Sequence, residues 1–98
     1  MSPARALSVI DEERVRVTTW TFDAQGDDTG HHTHQYDYIV VPITGGTFVV
    51  SQSDGSTRTL TQQAGVPYAG SAGTTHNVTS SNNASVTFVE LELKQRPA

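Results

Sequence analysis

Thr- and Val-rich stretches of this chain alternate with a period of two, and turn residues interrupt them about every ten positions. Arg14 to Phe22 reads Arg-Val-Arg-Val-Thr-Thr-Trp-Thr-Phe, a run of β-branched and aromatic residues that predicts a strand. The polar segment Asp23 to Gly30, with two glycines, ends it. His32 to Ile43 predicts a second strand closed by Gly45-Gly46, and Thr47 to Gln52 a third. The turn dipeptide Asp54-Gly55 sends the chain back as Arg58 to Gln62. Ala64 to Pro67 breaks the pattern again, and short strands follow around Tyr68 and from His76 to Thr79. After the turn cluster Ser80 to Asn83, Val86 to Lys94 is the clearest strand of all. Val89, Leu91 and Leu93 share one of its faces, and Glu90 and Glu92 share the other. No long helical period exists; only Leu7 to Glu13 reads as a helical turn or N-terminal arm. The ends, Met1 to Ala6 and Gln95 to Ala98, are expected to fray. The pattern predicts an all-β fold, a small barrel or sandwich of antiparallel strands.

Composition narrows the functions such a fold can carry. With 98 residues and no linker, one domain spanning 1–98 is expected. The 6 basic and 10 acidic residues give a net charge of −4, which argues against nucleic acid or an anionic membrane as partner. The 0 Cys count removes thiolate metal sites, disulfides and cysteine nucleophiles. No run approaches the roughly 20 apolar residues of a membrane span, and the start lacks a secretory apolar core, so a cytoplasmic location is expected.

Three of the 4 histidines fall in His31-His32-Thr33-His34, and the fourth is His76. On a strand His32 and His34 point to one face and His31 to the other. Two neutral imidazoles on one face can share a transition metal, and without Cys a third strong donor falls to His76. Tyr36 and Tyr38 have the parity of His32 and His34 and are predicted to point inward; Asp37 points outward unless a bulge re-aims it. Trp20 with Phe22, and Phe48 with Val50, are predicted core.

These spacings resemble the cupin superfamily. Its first motif is Gly, five residues, His-x-His, three or four residues, Glu, six residues, Gly. Here Gly26, His32, His34, Tyr38 and Gly45 stand at those intervals. The second motif is Gly, five residues, Pro-x-Gly, two residues, His, three residues, Asn. Here Gly65, Ser71-Ala72-Gly73, His76 and Ser80 match it. The motifs cover 26–45 and 65–80. The segments His34 to Pro42 and Val86 to Lys94 are also similar to a narrower group, the small RmlC-like cupins described as beta-alanine degradation proteins. Tyr38 replaces the usual Glu, and Ser71 and Ser80 replace Pro and Asn. A phenol can ligate iron, donate a hydrogen bond or simply fill the barrel, and its ordinary pKa near 10 makes it no automatic substitute for a carboxylate.

The resemblance implies a cupin jelly roll with a metal on His32, His34 and His76. The metal would be a divalent transition ion: iron, zinc, nickel, copper or manganese. Three neutral ligands leave its charge uncancelled, so a small organic acid or related polar molecule is the expected ligand. Dioxygenase-like chemistry is the first enzymatic expectation, and a non-catalytic metal- or ligand-binding or sensor role is the alternative. Tyr38, Tyr36, Tyr68, Gln62 and Gln63 are the candidates for acid–base work, Tyr38 first. A homodimer is expected, with Leu7 to Glu13 contributing.

Overall fold

The computed structural model of the protein describes residues 2–94. It contains nine strands: β1 (Arg5–Asp11), β2 (Val15–Phe22), β3 (His32–Thr33), β4 (Asp37–Pro42), β5 (Gly46–Gln52), β6 (Thr57–Gln62), β7 (Tyr68–Gly70), β8 (Thr75–Ser80) and β9 (Val86–Leu93). One sheet has the order β1-β2-β9-β4-β7, and the other the order β3-β8-β5-β6. Every pairing of these strands is antiparallel. The two sheets face each other, and the side chains between them form the interior.

Two expectations need correction. Leu7 to Glu13 is neither helical nor a free arm: β1 covers most of it and pairs with β2 across a register shift between Ser8 and Ile10. Its β-branched Val9-Ile10 suits a strand better than a helical turn. The start is also tied down, because Pro3 bridges Asp28 and the Ala4 N–H donates to the Asp28 carbonyl. The expected fraying of 95–98 concerns residues outside those described. The second correction is that His32 to Ile43 is not one strand. The chain bends between Thr33 and Asp37, so β3 joins one sheet and β4 the other. The bend lets one short sequence serve both walls of the interior.

Antiparallel register sorts the interior into an apolar end and a polar end. Along β9 the inward residues run Val86, Phe88, Glu90, Glu92; opposite them on β2 run Phe22, Trp20, Thr18, Arg16. On β8 the inward residues are Ser80, Val78 and His76, opposite Phe48, Val50 and Gln52 of β5. Phe22, Phe48 and Phe88 meet at centroid distances of 5.2, 5.6 and 5.9 Å. With Val40, Val50, Val78 and Val86 they make the buried core. Each such side chain contributes roughly 1.5–3 kcal/mol by leaving water, and this anchors the end opposite the histidines. At Gly45, between β4 and β5, φ is +75° and a Cβ would lie 3.0 Å from the Gln62 carbonyl, so the tight return requires glycine.

Candidate metal centre

His32 comes from β3, His34 from the bend after it, and His76 from β8. His32 and His76 are direct cross-strand partners, so their side chains leave the sheet side by side. The bend is pinned by the His34 N–H donating to the Thr74 carbonyl and the Gly73 N–H donating to the His34 carbonyl, at 2.8 Å each. The three Nε2 atoms converge: His32 to His34 is 3.1 Å, and His34 to His76 is 3.0 Å. Among the described residues these three form the group able to hold a metal ion.

Protonation suits that use. Burial first, and then the His32 charge, lower the His34 pKa to about 4. Burial, then His32, His34 and Arg58, lower His76 to about 4. Both rings are therefore neutral at pH 7. The His32 Nδ1–H donates to the Gly30 carbonyl at 2.8 Å, which fixes the ring and turns its Nε2 toward the other two histidines. Nitrogens 3.0–3.1 Å apart are bridged either by an N–H of one ring or by a cation that all the rings share. Two nitrogens about 2.1 Å from one ion stand about 3.0 Å apart at a right angle and about 3.4 Å apart at a tetrahedral angle. The His32–His34 and His34–His76 separations lie near the lower of these two values, and all three donor atoms lie within 4.8 Å of one another.

Tyr38 does point into the interior. Its ring lies on the His34 ring, with centroids 3.8 Å apart and planes 17° apart. Gly70, its cross-strand partner on β7, makes room: a Cβ there would fall 2.1 Å from Tyr38 Cζ. Burial raises the phenol pKa, with Glu90 and Tyr68 adding to the effect. His31 is exposed. Asp37 turns to the second motif, where its Oδ1 accepts the Ala72 N–H at 2.9 Å.

A cavity of about 50 Å³ adjoins His32 and His76. Val40, Val50, Leu60, Val78 and Phe88 give it apolar walls, and Trp20, Thr29, Tyr38, Arg58, Gln62, Tyr68 and Glu90 complete it. Arg58, Gln62 and Tyr68 also line a surface groove, so the cavity opens on their side. Of the residues considered for acid–base work, Tyr38, Tyr68 and Gln62 line the cavity, whereas Tyr36 and the exposed Gln63 do not.

The residues the sequence reading missed are Glu90 and Glu92. Glu92 is buried and takes a bidentate grip from Arg16, at 2.8 and 2.7 Å. Glu90 lines the cavity, and its pKa is pushed up to about 7, by burial first and by Glu92 second. A signal existed, since Val86 and Phe88 share their parity and are plainly core.

No family model matches the chain. It is 42% identical over 85 residues to the beta-alanine degradation protein BauB of Pseudomonas aeruginosa, covering 87% of each chain. Among solved structures it is similar to a cupin domain from Bordetella pertussis, at 38% identity, 96% of each chain and a TM-score of 0.90. An RmlC-like cupin from Methanocaldococcus jannaschii shares the fold at 11% identity, with 95% of this chain and 82% of that one covered and a TM-score of 0.75.

Proposed function

The chain belongs to the cupin family, in the group that includes the Pseudomonas relative, and on that footing we propose that it is a metal-dependent protein acting on a small organic acid. The observation that carries this reading is the convergence of three imidazole Nε2 atoms beside an open cavity. A divalent transition ion held by His32, His34 and His76 would supply Lewis acidity there. The chain's own residues do the rest. The Gly30 carbonyl orients His32, and the Tyr38 ring fixes the plane of His34. The apolar walls exclude water, which strengthens every polar contact inside. Glu90 is the group placed to take up or release a proton, since its pKa lies near 7.

The relative's name refers to beta-alanine degradation, and a small carboxylic acid is in keeping with it. Oxygen-dependent, dioxygenase-like oxidation is the first reaction to test, by analogy with other three-histidine cupins.

The test is metal quantification on protein purified without chelator or added metal, under anaerobic conditions for iron. Near-stoichiometric metal is expected in the native protein, with loss in His32→Ala and His76→Ala. Background metal in all three would end the proposal. Oxygen uptake with small carboxylic acids, β-dicarbonyls and thiols then separates turnover from binding.

A further inference from the structure

The end of the cavity remote from the histidines carries an unbalanced polar atom. Gln62 is 5% exposed, and its Nε2 donates to the Tyr68 hydroxyl at 2.8 Å. Its Oε1 is buried and finds no hydrogen-bond partner among the described residues. A buried acceptor left bare is costly, and native interiors rarely tolerate one. The atom itself is covered, but its side chain lines the cavity, so a turn of the amide about its last torsion would bring Oε1 to a ligand. The neighbouring acceptor is Glu90: on the sheet it pairs with Val40, which in turn pairs with Tyr68, so Glu90 and Tyr68 stand in one cross-strand row. Val40, Val50, Val78 and Phe88 supply apolar wall, and Thr29 and Tyr38 add hydroxyls. The charged groups on the cavity are Glu90 and Arg58, and Arg58 sits on the open, exposed side.

We infer that the ligand of this cavity carries a hydrogen-bond donor, an amine or a hydroxyl, at the end opposite its metal-bound carboxylate, and that Gln62 Oε1 accepts from it. The inference rests on the metal reading above and adds the other half of the ligand. An acid bearing a distal donor would serve both poles, whereas one ending in a methyl leaves Oε1 bare.

The test compares propanoate, 3-hydroxypropanoate and 3-aminopropanoate by calorimetry on the metal-loaded protein and on Gln62→Met, a near-isosteric variant without polar atoms. Both donor-bearing acids are expected to bind about tenfold more tightly than propanoate to the native protein, and Gln62→Met to erase that preference. Metal content is measured in parallel and is expected to be unchanged by the variant. Equal binding of the three acids by native protein, or a preference that survives in Gln62→Met, overturns the inference while leaving the metal reading intact. Absence of metal from the native protein overturns the metal reading and the inference with it. A reversed preference, for ligands bearing only acceptors, would mean that the amide presents its N–H groups to the cavity, and would also overturn the inference.

Discussion

Gly70→Ala tests whether Tyr38 is held on His34 by the shape of β7. Gly70 has no positive φ, so alanine is acceptable to its backbone and any penalty comes from space. A Cβ would meet Tyr38 Cζ at 2.1 Å, its hydroxyl oxygen at 2.3 Å and Cε2 at 2.5 Å. Ordinary carbon contact is about 3.5 Å, so the ring must move by about 1.4 Å. It cannot move toward His34, whose ring is already stacked at 3.8 Å. The ring must therefore slide off the imidazole. Overpacking of this kind costs about 1–3 kcal/mol, offset by the roughly 0.5–1 kcal/mol that alanine gains over glycine in a strand. The net loss is about 1–2 kcal/mol, or about 5–15 °C in melting temperature for a domain of this size. Metal affinity is expected to fall about 10–100-fold, the usual consequence of disturbing a ligand's support. Thermal denaturation of metal-free protein and competitive metal titration read the two effects. In a Tyr38→Ala background the same substitution is expected to be nearly neutral in both. Native melting and native metal affinity in Gly70→Ala, or an equal penalty in both backgrounds, would refute the reasoning.

Other outcomes follow from the same interior. Glu90 has a folded pKa of about 7, raised above its ordinary value of 4.5. Its contribution to stability is therefore complete below about pH 4.5 and is lost as pH rises through 7. Glu90→Gln is expected to stabilise the protein by on the order of 3 kcal/mol at pH 8 and little at pH 4.5, read from urea melts at the two pH values. His34 and His76 have folded pKa values lowered from 6.5 to about 4. Metal-free protein is thus expected to lose stability as pH falls from 6.5 to 4, because the unfolded chain binds those protons first; a flat profile over that window in a His34→Gln/His76→Gln comparison with native protein would contradict it. Finally, β1 is exposed along its whole length, and the outer face of its sheet presents Leu7, Ile10, Val17, Ile39, Val89 and Leu91 in adjoining rows. Two copies related by a two-fold axis would cover this face, so a second copy is the expected occupant. Light scattering is expected to report a dimer that Leu91→Arg converts to monomer, and a native monomer at micromolar concentration would defeat it.

Most strands were legible because period-two alternation is a direct consequence of the pleat, and turn residues marked their ends. The break inside His32 to Ile43 was not. Gln35 and Tyr36 carry no turn signal, and the bend is made by hydrogen bonds from the second motif, the Gly73 N–H to the His34 carbonyl among them. The histidine set was legible from spacing, since the cross-strand pairing of His32 with His76 requires only that β3 and β8 be neighbours. The role of Tyr38 was half legible. Parity told that it points inward, but its stacking on His34 depends on the β4–β7 register that sets Gly70 beneath it. The orientation of β9 was misleading in a different way. Alternation says that two faces differ, not which of them is inside, and here the faces invert the usual rule: Val89, Leu91 and Leu93 turn outward while Glu90 and Glu92 turn in.

That inversion bears on the residue that departs from the family pattern. Where the first motif ordinarily places a carboxylate, this chain has Tyr38, and directly across the strand pair from Tyr38 is Glu92. The carboxylate charge is thus present at the same level of the interior but on the neighbouring strand, and Arg16 neutralises it by a bidentate pair. A carboxylate locked to arginine does not compete for a metal, so an ion on the three imidazoles would keep its full charge for the acid proposed above. Glu92 also helps raise the pKa of Glu90, two residues away on the same face. In this arrangement the carboxylates of β9 belong to the cavity: Glu92 raises the Glu90 pKa, and Glu90 lines the cavity wall. Arg16→Met would test the division of labour. Freed of its partner, Glu92 is expected to raise metal affinity by becoming an available ligand and to push the Glu90 titration higher still. If metal affinity and the pH profile of stability both stay as in native protein, the Arg16–Glu92 pair is only a strut, and the tyrosine at position 38 is not compensated by the strand beside it.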